Sequence, residues 1–415
     1  MSRSSQWKAL MLAGPLILFP FARSYYLFYV AILVWGLVTL RPRGLWAQSR
    51  ELRLAFYAFG LPILMPLLGW ALTQSGAPLD WGNKLLTVLL ACLLGLATKA
   101  LSDDESVCDT AGLLITVAIA SWGVEGVLQL VSGHSLDCRG ALSPCMTDGR
   151  ISLYYGHRAK LGYYIGMLTF LPAAWLVSRR RTGAALAVLL LGGVVTMASA
   201  SRFSMLAFLI GISLLGLVLA LRAPLPARAR LALAVGAPVL LVALGIALYH
   251  LNPTFHERVQ RTLLAFGTLD YARVNKALTG RLDIWEPLLR MARDHWLFGV
   301  GPGDLDAGIR PYLGEGNAFL TIRIFHAHQV LLDVLAATGV LGLLAFLVYY
   351  ARVVADFVRA SAGALDLRWA ALLVFLLMWF PLNSPNGFYS SEMVFLTFYV
   401  LGLGYGLGGG RPAAR

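Results

Sequence analysis

Apolar runs close to the length of a bilayer crossing recur from one end of this 415-residue chain to the other. A helix needs about 20 mostly apolar residues to span the hydrocarbon core, because every backbone polar group must be satisfied within the element. The runs predict about twelve such helices, near residues 8–22, 25–40, 52–72, 84–99, 108–131, 160–177, 183–199, 203–221, 231–250, 328–350, 369–383 and 388–407. Composition agrees: 58% of residues are hydrophobic and 13% charged, against about 45–50% and about 25% in soluble domains. The first run, "ALMLAGPLILFPFA", flows into the second with no small-residue cleavage site, so it reads as a span and not as a signal peptide. The expected fold is an all-α polytopic membrane protein. Residues 1–250 would hold helices one to nine, 251–327 a long loop, and 328–415 the last three helices and a short cytoplasmic tail.

Basic residues orient this arrangement. With both termini cytoplasmic, the inside segments collect clusters such as Arg41, Arg43, Arg50 and Arg53, or Arg179, Arg180 and Arg181. The short outside turns hold only Arg23, Lys84 and Arg202. The net charge of +13 is therefore largely a topology signal and does not point to nucleic acid. Cys92 and Cys108 fall in or beside spans and read as small apolar residues. Cys138 and Cys145 share an outside loop, where a disulfide ranks ahead of free thiols and a metal site ranks last.

Some outside charge is not explained by topology. "TMASASRFSML" puts Arg202 at the outer junction of two spans, after the small residues Ala198, Ser199, Ala200 and Ser201. "YYGHRAKLGYY" puts Arg158 and Lys160 at another entrance. The guanidinium fork suits phosphate oxygens, whereas snorkelling to lipid phosphates is the bland alternative. The 251–327 loop is no linker. "FHERVQRTLLAFG" spaces Val259, Leu263 and Phe266 as on a helix, and the stretch from Ile284 to Trp296 has a broad apolar face of Ile284, Trp285, Leu288, Leu289, Ala292 and Trp296. Helices of this kind lie at an interface or lid a cavity. "GVGPGD" lacks the Lys-Ser/Thr of a phosphate-binding loop and reads as a sharp turn ending that helix, stiffened by Pro302. Glu125 and Gln129, one turn apart, either bond each other or line a route for a ligand.

"HAHQVLLDVLAATGVLGL" then sets His326 and His328 at the head of a late span. If both are helical they point about 200° apart and do not act as a pair. On the same helix Asp333 lies about 140° from His328, poorly placed to orient it. Taken alone, His328 reads as an interfacial histidine with one hydrogen bond.

The order of "SASRFSML", "TGRLDIW", "LFGVGPGD" and "HAHQVLLDVLAATGVLGL" is similar to that of the O-antigen ligase family and its polymerase relatives. By motif the resemblance covers roughly residues 150–350, with one departure: Gln329 stands where the family commonly has Asn. The resemblance implies a C-type membrane glycosyltransferase architecture in the bacterial inner membrane. It implies transfer of a glycan from undecaprenyl diphosphate to a hydroxyl of lipid A–core at the periplasmic face, inverting the anomeric carbon, with no metal and no cofactor. Carried over by motif, His328 is the general base, and Arg202 and Arg281 hold the diphosphate. Arg158, Lys160, Gln329 and His326 are further substrate contacts, with His326 more a bystander than a partner of His328.

The residue chemistry fits this role. An attacking sugar hydroxyl must lose a proton, which suits an imidazole. A leaving diphosphate gathers negative charge, which suits arginines. The rivals are an O-antigen polymerase, a protein O-oligosaccharyltransferase and a lipid-linked glycan transporter. The second usually carries a further C-terminal domain, whereas this chain stops at Arg415. The third would show charged or broken spans near the midplane.

Overall fold

A computed structural model describes residues 3–19, 21, 24–39, 46, 49–65, 68, 81–132, 158–199, 201–222, 226–251, 253–268, 270–302, 305–317, 319–324, 326–381 and 386–406. Cys138 and Cys145 lie outside these residues. Among the described residues every regular element is helical. In order these are α1 (Arg3–Ile17), α2 (Tyr25–Thr39), α3 (Arg50–Gly60), α4 (Trp81–Ser102), α5 (Glu105–Ser132), α6 (Arg158–Leu168), α7 (Phe170–Ser178), α8 (Thr182–Ala198), α9 (Arg202–Arg222) and α10 (Ala227–Leu251). They continue with α11 (Pro253–Thr268), α12 (Tyr271–Ala277), α13 (Leu282–Asp294), α14 (Leu305–Ile309), α15 (Val330–Ala360), α16 (Leu367–Met378) and α17 (Ser391–Tyr405). Each range expected to span contains part of one of these helices. Four described helices are long and apolar enough to cross a membrane: Gly82–Ser102, Glu105–Ser132, Arg202–Arg222 and Val330–Ala360.

The main core is built by α1 to α9 with α15 to α17. Its most extensive crossing is α4 on α17, where Gly95 faces Gly402. A Cβ on Gly402 would stand 2.5 Å from the Gly95 carbonyl oxygen. Small residues here let two backbones touch, which is how helices gain packing energy where lipid competes with every side chain. Gly402→Val is expected to cost ~1–3 kcal/mol of stability by overpacking. Thermal unfolding of the purified variant checks this, and an unchanged midpoint would contradict it. Cys92 and Cys108 are buried, their thiols directed at the Leu52 and Ser102 carbonyls, as small core residues would be. Glu125 and Gln129 are also buried, on the stretch of α5 whose Gly126 packs on Val195 of α8.

A second, smaller core belongs to the segment between α10 and α15. Ile284, Leu288, Met291, Leu305, Ile309, Leu313 and Ile324 gather there, joined by Ala327 and by Ala336 of α15. The buried face of α13 is Ile284, Pro287, Leu288, Met291 and Ala292. That is narrower than its sequence pattern suggested. Leu289 is 52% exposed because it sits about 100° on from Leu288, and Trp296 is 59% exposed because it lies beyond the helix end.

α13 ends before "GVGPGD", at Asp294 with His295 as its cap, so the glycine turn does not itself end the helix as expected. Gly299 and Gly301 take positive φ of 72° and 110°, which glycine allows. The turn then inserts into a break in α15 at Gly339, where φ is 66° and ψ −169°. Val300 N–H donates to the Ala336 carbonyl (2.9 Å), Gly301 N–H to Ala337 (3.0 Å), and Val340 N–H to Trp296 (2.7 Å). These bonds replace the ones the helix loses at its break. A side chain on Gly339 would overlap the Leu297 carbonyl. The expected single span near 328–350 is thus two helical pieces, the first seated against α13.

Candidate functional site

Arg202 opens α9 and reaches into the α11–α13 segment. Its Nη1 donates to Thr262 Oγ1 of α11 (3.0 Å), and its Nη2 donates to the Ala277 carbonyl at the end of α12. Arg261, one residue before Thr262, stands near enough for its positive charge to act on Arg202.

The chain then turns sharply into α13. Thr279 and Gly280 both take left-handed φ, 60° and 79°. The side chain of Asn275 holds the turn: its Oδ1 accepts from Leu282 N–H (3.0 Å) and its Nδ2 donates to Asp283 Oδ2 (2.7 Å). Tyr271 donates its hydroxyl to Asp283 Oδ1 (3.0 Å). With Asp283 engaged in this way, the turn delivers Arg281, half-buried, towards Arg202. Desolvation first, and then the Arg202 charge, push the Arg281 guanidinium below the usual arginine range. It still carries its charge at any physiological pH. Among the described residues neither Arg202 nor Arg281 has a carboxylate partner. Two like charges brought together without a counterion favour an anion between them.

One helical turn links this pair to the histidines. Trp285 N–H donates to the Arg281 carbonyl (2.9 Å), and the Trp285 indole Nε1 donates to the Ala327 carbonyl (2.8 Å). Ala327 separates His326 from His328. The two imidazole rings lie with centroids 4.0 Å apart, tilted by 59°. This corrects the expectation that they point to opposite sides. The helix does not include them: it begins at Val330, and His328 has a left-handed φ of 55°. Gln329 is the reason. Its Oε1 caps the helix by accepting from Leu332 N–H (2.5 Å), while its Nε2 donates to the Pro381 carbonyl (2.8 Å). Asparagine is a common cap and glutamine is not. The extra methylene of Gln329 lets one amide serve both partners.

Asp333, which helix geometry placed poorly to orient His328, has main-chain partners. It is buried, and it acts on the main chain and not on an imidazole: Oδ1 accepts from Ala327 N–H (2.8 Å) and Oδ2 from Phe388 N–H (2.7 Å). Upstream, Asp306 Oδ1 accepts from Ile324 N–H (2.8 Å) and pairs with Arg310 (2.9 Å), which holds the Leu320 carbonyl. Arg158 and Lys160 stand in the first turn of α6, and their side chains lie outside the described residues. Their helix abuts the Arg202 junction, since Gly162 packs on Ser199 and Ser204.

Residues 185–347 match the family model described as O-Antigen ligase. The likeness to that family is confined to this stretch. It runs from α8 to beyond the Gly339 break and contains Arg202, Arg281, Trp285, His326, His328, Gln329 and Asp333. Arg158 and Lys160 precede it. No curated protein matches the chain.

Sequence reasoning missed Trp285, Asn275 and Thr262 as parts of the site. Asp333 carried a signal, a carboxylate inside an apolar run, which usually marks function or a specific partner. Trp285 stood in the "TGRLDIW" motif and on the apolar face of its helix, with no role of its own assigned. Nothing in sequence marked Asn275 or Thr262.

Proposed function

We propose that this protein is an O-antigen ligase. It transfers a glycan from undecaprenyl diphosphate to a sugar hydroxyl of lipid A–core at the periplasmic face of the bacterial inner membrane. The observation that carries this reading is that Arg202 bonds the Ala277 carbonyl, at the turn that leads into Arg281, and that Arg281 lies one helical turn from the residue bonding the loop of His328, with no carboxylate partner for either arginine among the described residues. About twelve helices cross the membrane, both termini are cytoplasmic, and the 251–327 segment is periplasmic, as the short-loop charge bias supports.

In the reaction, Arg202 and Arg281 hold the diphosphate and stabilise the charge that gathers on it as the glycosyl bond breaks. His328 takes the proton of the attacking hydroxyl, which approaches the anomeric carbon from the face opposite the leaving group, so the configuration inverts. Arg158 and Lys160 add positive charge at the α6 entrance. His326 lines the site beside His328, and Gln329 contributes chiefly by fixing the start of α15. The two guanidinium groups supply the charge that a metal would otherwise bring.

The test uses purified protein in lipid nanodiscs with undecaprenyl-diphosphate glycan and lipid A–core. No nucleotide is added and a chelator is present. Ligated lipid A–core at the same rate with and without chelator is the expected result. Glycan elongation in the absence of lipid A–core would identify a polymerase instead. Carrier movement across vesicles with no transfer product would identify a transporter, and either outcome sinks the ligase reading.

A further inference from the structure

The loop that carries the histidines is held more firmly than its sequence suggests, and the restraints converge on one residue. Ala327 is fully buried, and both ends of its main chain are occupied. Its N–H donates to Asp333 Oδ1 (2.8 Å), and its carbonyl accepts from the Trp285 indole (2.8 Å). His328 follows immediately with φ of 55°. A left-handed conformation at a non-glycine residue is strained and persists only where its surroundings over-determine it. It also sets the direction of the Cα–Cβ bond, and therefore where the imidazole can reach.

We propose that Asp333 and Trp285 are positioning residues for His328, clamping the Ala327 peptide units from both sides so that the imidazole is held at the mouth of the arginine pair. The second Asp333 oxygen gives the clamp a fixed base. It accepts from Phe388 N–H (2.7 Å), which ties the histidine loop to the segment leading into α17. Asp333 lies in the first turn of α15, where the helix dipole favours a carboxylate. Each oxygen is matched by a backbone donor, so the buried charge is bonded and not stranded. Trp285 gives the clamp its direction. It is four residues after Arg281 on the same face of the chain, so one rigid turn sets the diphosphate site and the histidine loop relative to each other. The motif spacing from Arg281 to Trp285 is then a distance constraint between two halves of the site.

This inference rests on His328 being the base. It is tested by measuring kcat, KM for both substrates and thermal unfolding for Trp285→Phe, Asp333→Asn, the double variant and His328→Ala. Phenylalanine keeps an aromatic ring and removes the N–H. Asparagine keeps the shape but offers an amide N–H₂ where an acceptor is needed. Each single variant is expected to lower kcat by ~10–100-fold, the scale of an approximately 1 Å misplacement, with both KM values unchanged. The double variant should fall no further than the weaker single, because both act through one loop. If Asp333→Asn does not fold, Trp285→Phe decides. Wild-type kcat in Trp285→Phe beside an inactive His328→Ala overturns the clamp and leaves the base standing. A raised KM with intact kcat, or independent additive losses, also overturns the clamp. An active His328→Ala overturns the reading of the base itself.

Discussion

Replacing His328 with alanine is expected to reduce glycan transfer by ~10²–10⁴-fold, the range a positioned general base contributes. Donor binding should survive, because the arginine pair is anchored separately: Arg202 by Thr262 and the Ala277 carbonyl, Arg281 by the Asn275 turn. The fold should survive too, since the helix cap is made by Gln329 and the main chain of the loop is held at Ala327 by Asp333 and Trp285. Rate and carrier binding measured on the same preparation separate these effects. Full turnover in the variant would remove His328 from the mechanism.

Arg202→Lys is expected to lower the rate by ~10²–10³-fold, the usual cost of losing one oriented donor group at developing charge. The substitution keeps a positive charge at the head of α9. It loses the planar fork that now bonds Thr262 and Ala277 while leaving further N–H groups for an anion. A single ammonium cannot meet both protein partners and a diphosphate in fixed geometry. The measurement is kcat with thermal unfolding as a control. Unchanged turnover at unchanged stability would count against Arg202 as a clamp. A fall in stability alone would make it a strut between α9 and α12.

Much of the architecture was legible because apolar length and local helix signals act over short stretches. The helical character of the 253–268 and 282–294 segments followed from spacing, and the turn at Gly299 and Gly301 from glycine content, although α13 ends before that turn, at Asp294. The break at Gly339 was not legible. "VLLDVLAATGVLGL" is continuous apolar sequence, and a glycine within it is tolerated in an ordinary helix. Only the arrival of Val300 and Gly301 at the Ala336 and Ala337 carbonyls compensates the lost helical bonds. The histidine geometry failed for a related reason. The helix begins at Val330, two residues after the start that apolar periodicity predicts, because Gln329 is not among the residues that ordinarily signal a helix start.

By itself the sequence determined the all-helical, membrane-spanning character and the family resemblance, and it singled out Arg202, Arg281 and His328 as residue types suited to the chemistry. Those properties are carried by composition, periodicity and motif order along the chain. Tertiary structure decided that Arg202 and Arg281 share one charged neighbourhood, that His326 and His328 stand side by side, and that Asp333 and Trp285 hold the residue between them. The arginine neighbourhood and the hold on Ala327 depend on contacts between residues from 6 to about 80 apart, and the histidine pair stands on the loop that those contacts hold. Such contacts form only when the second core folds against the first half of α15, and no local pattern encodes them.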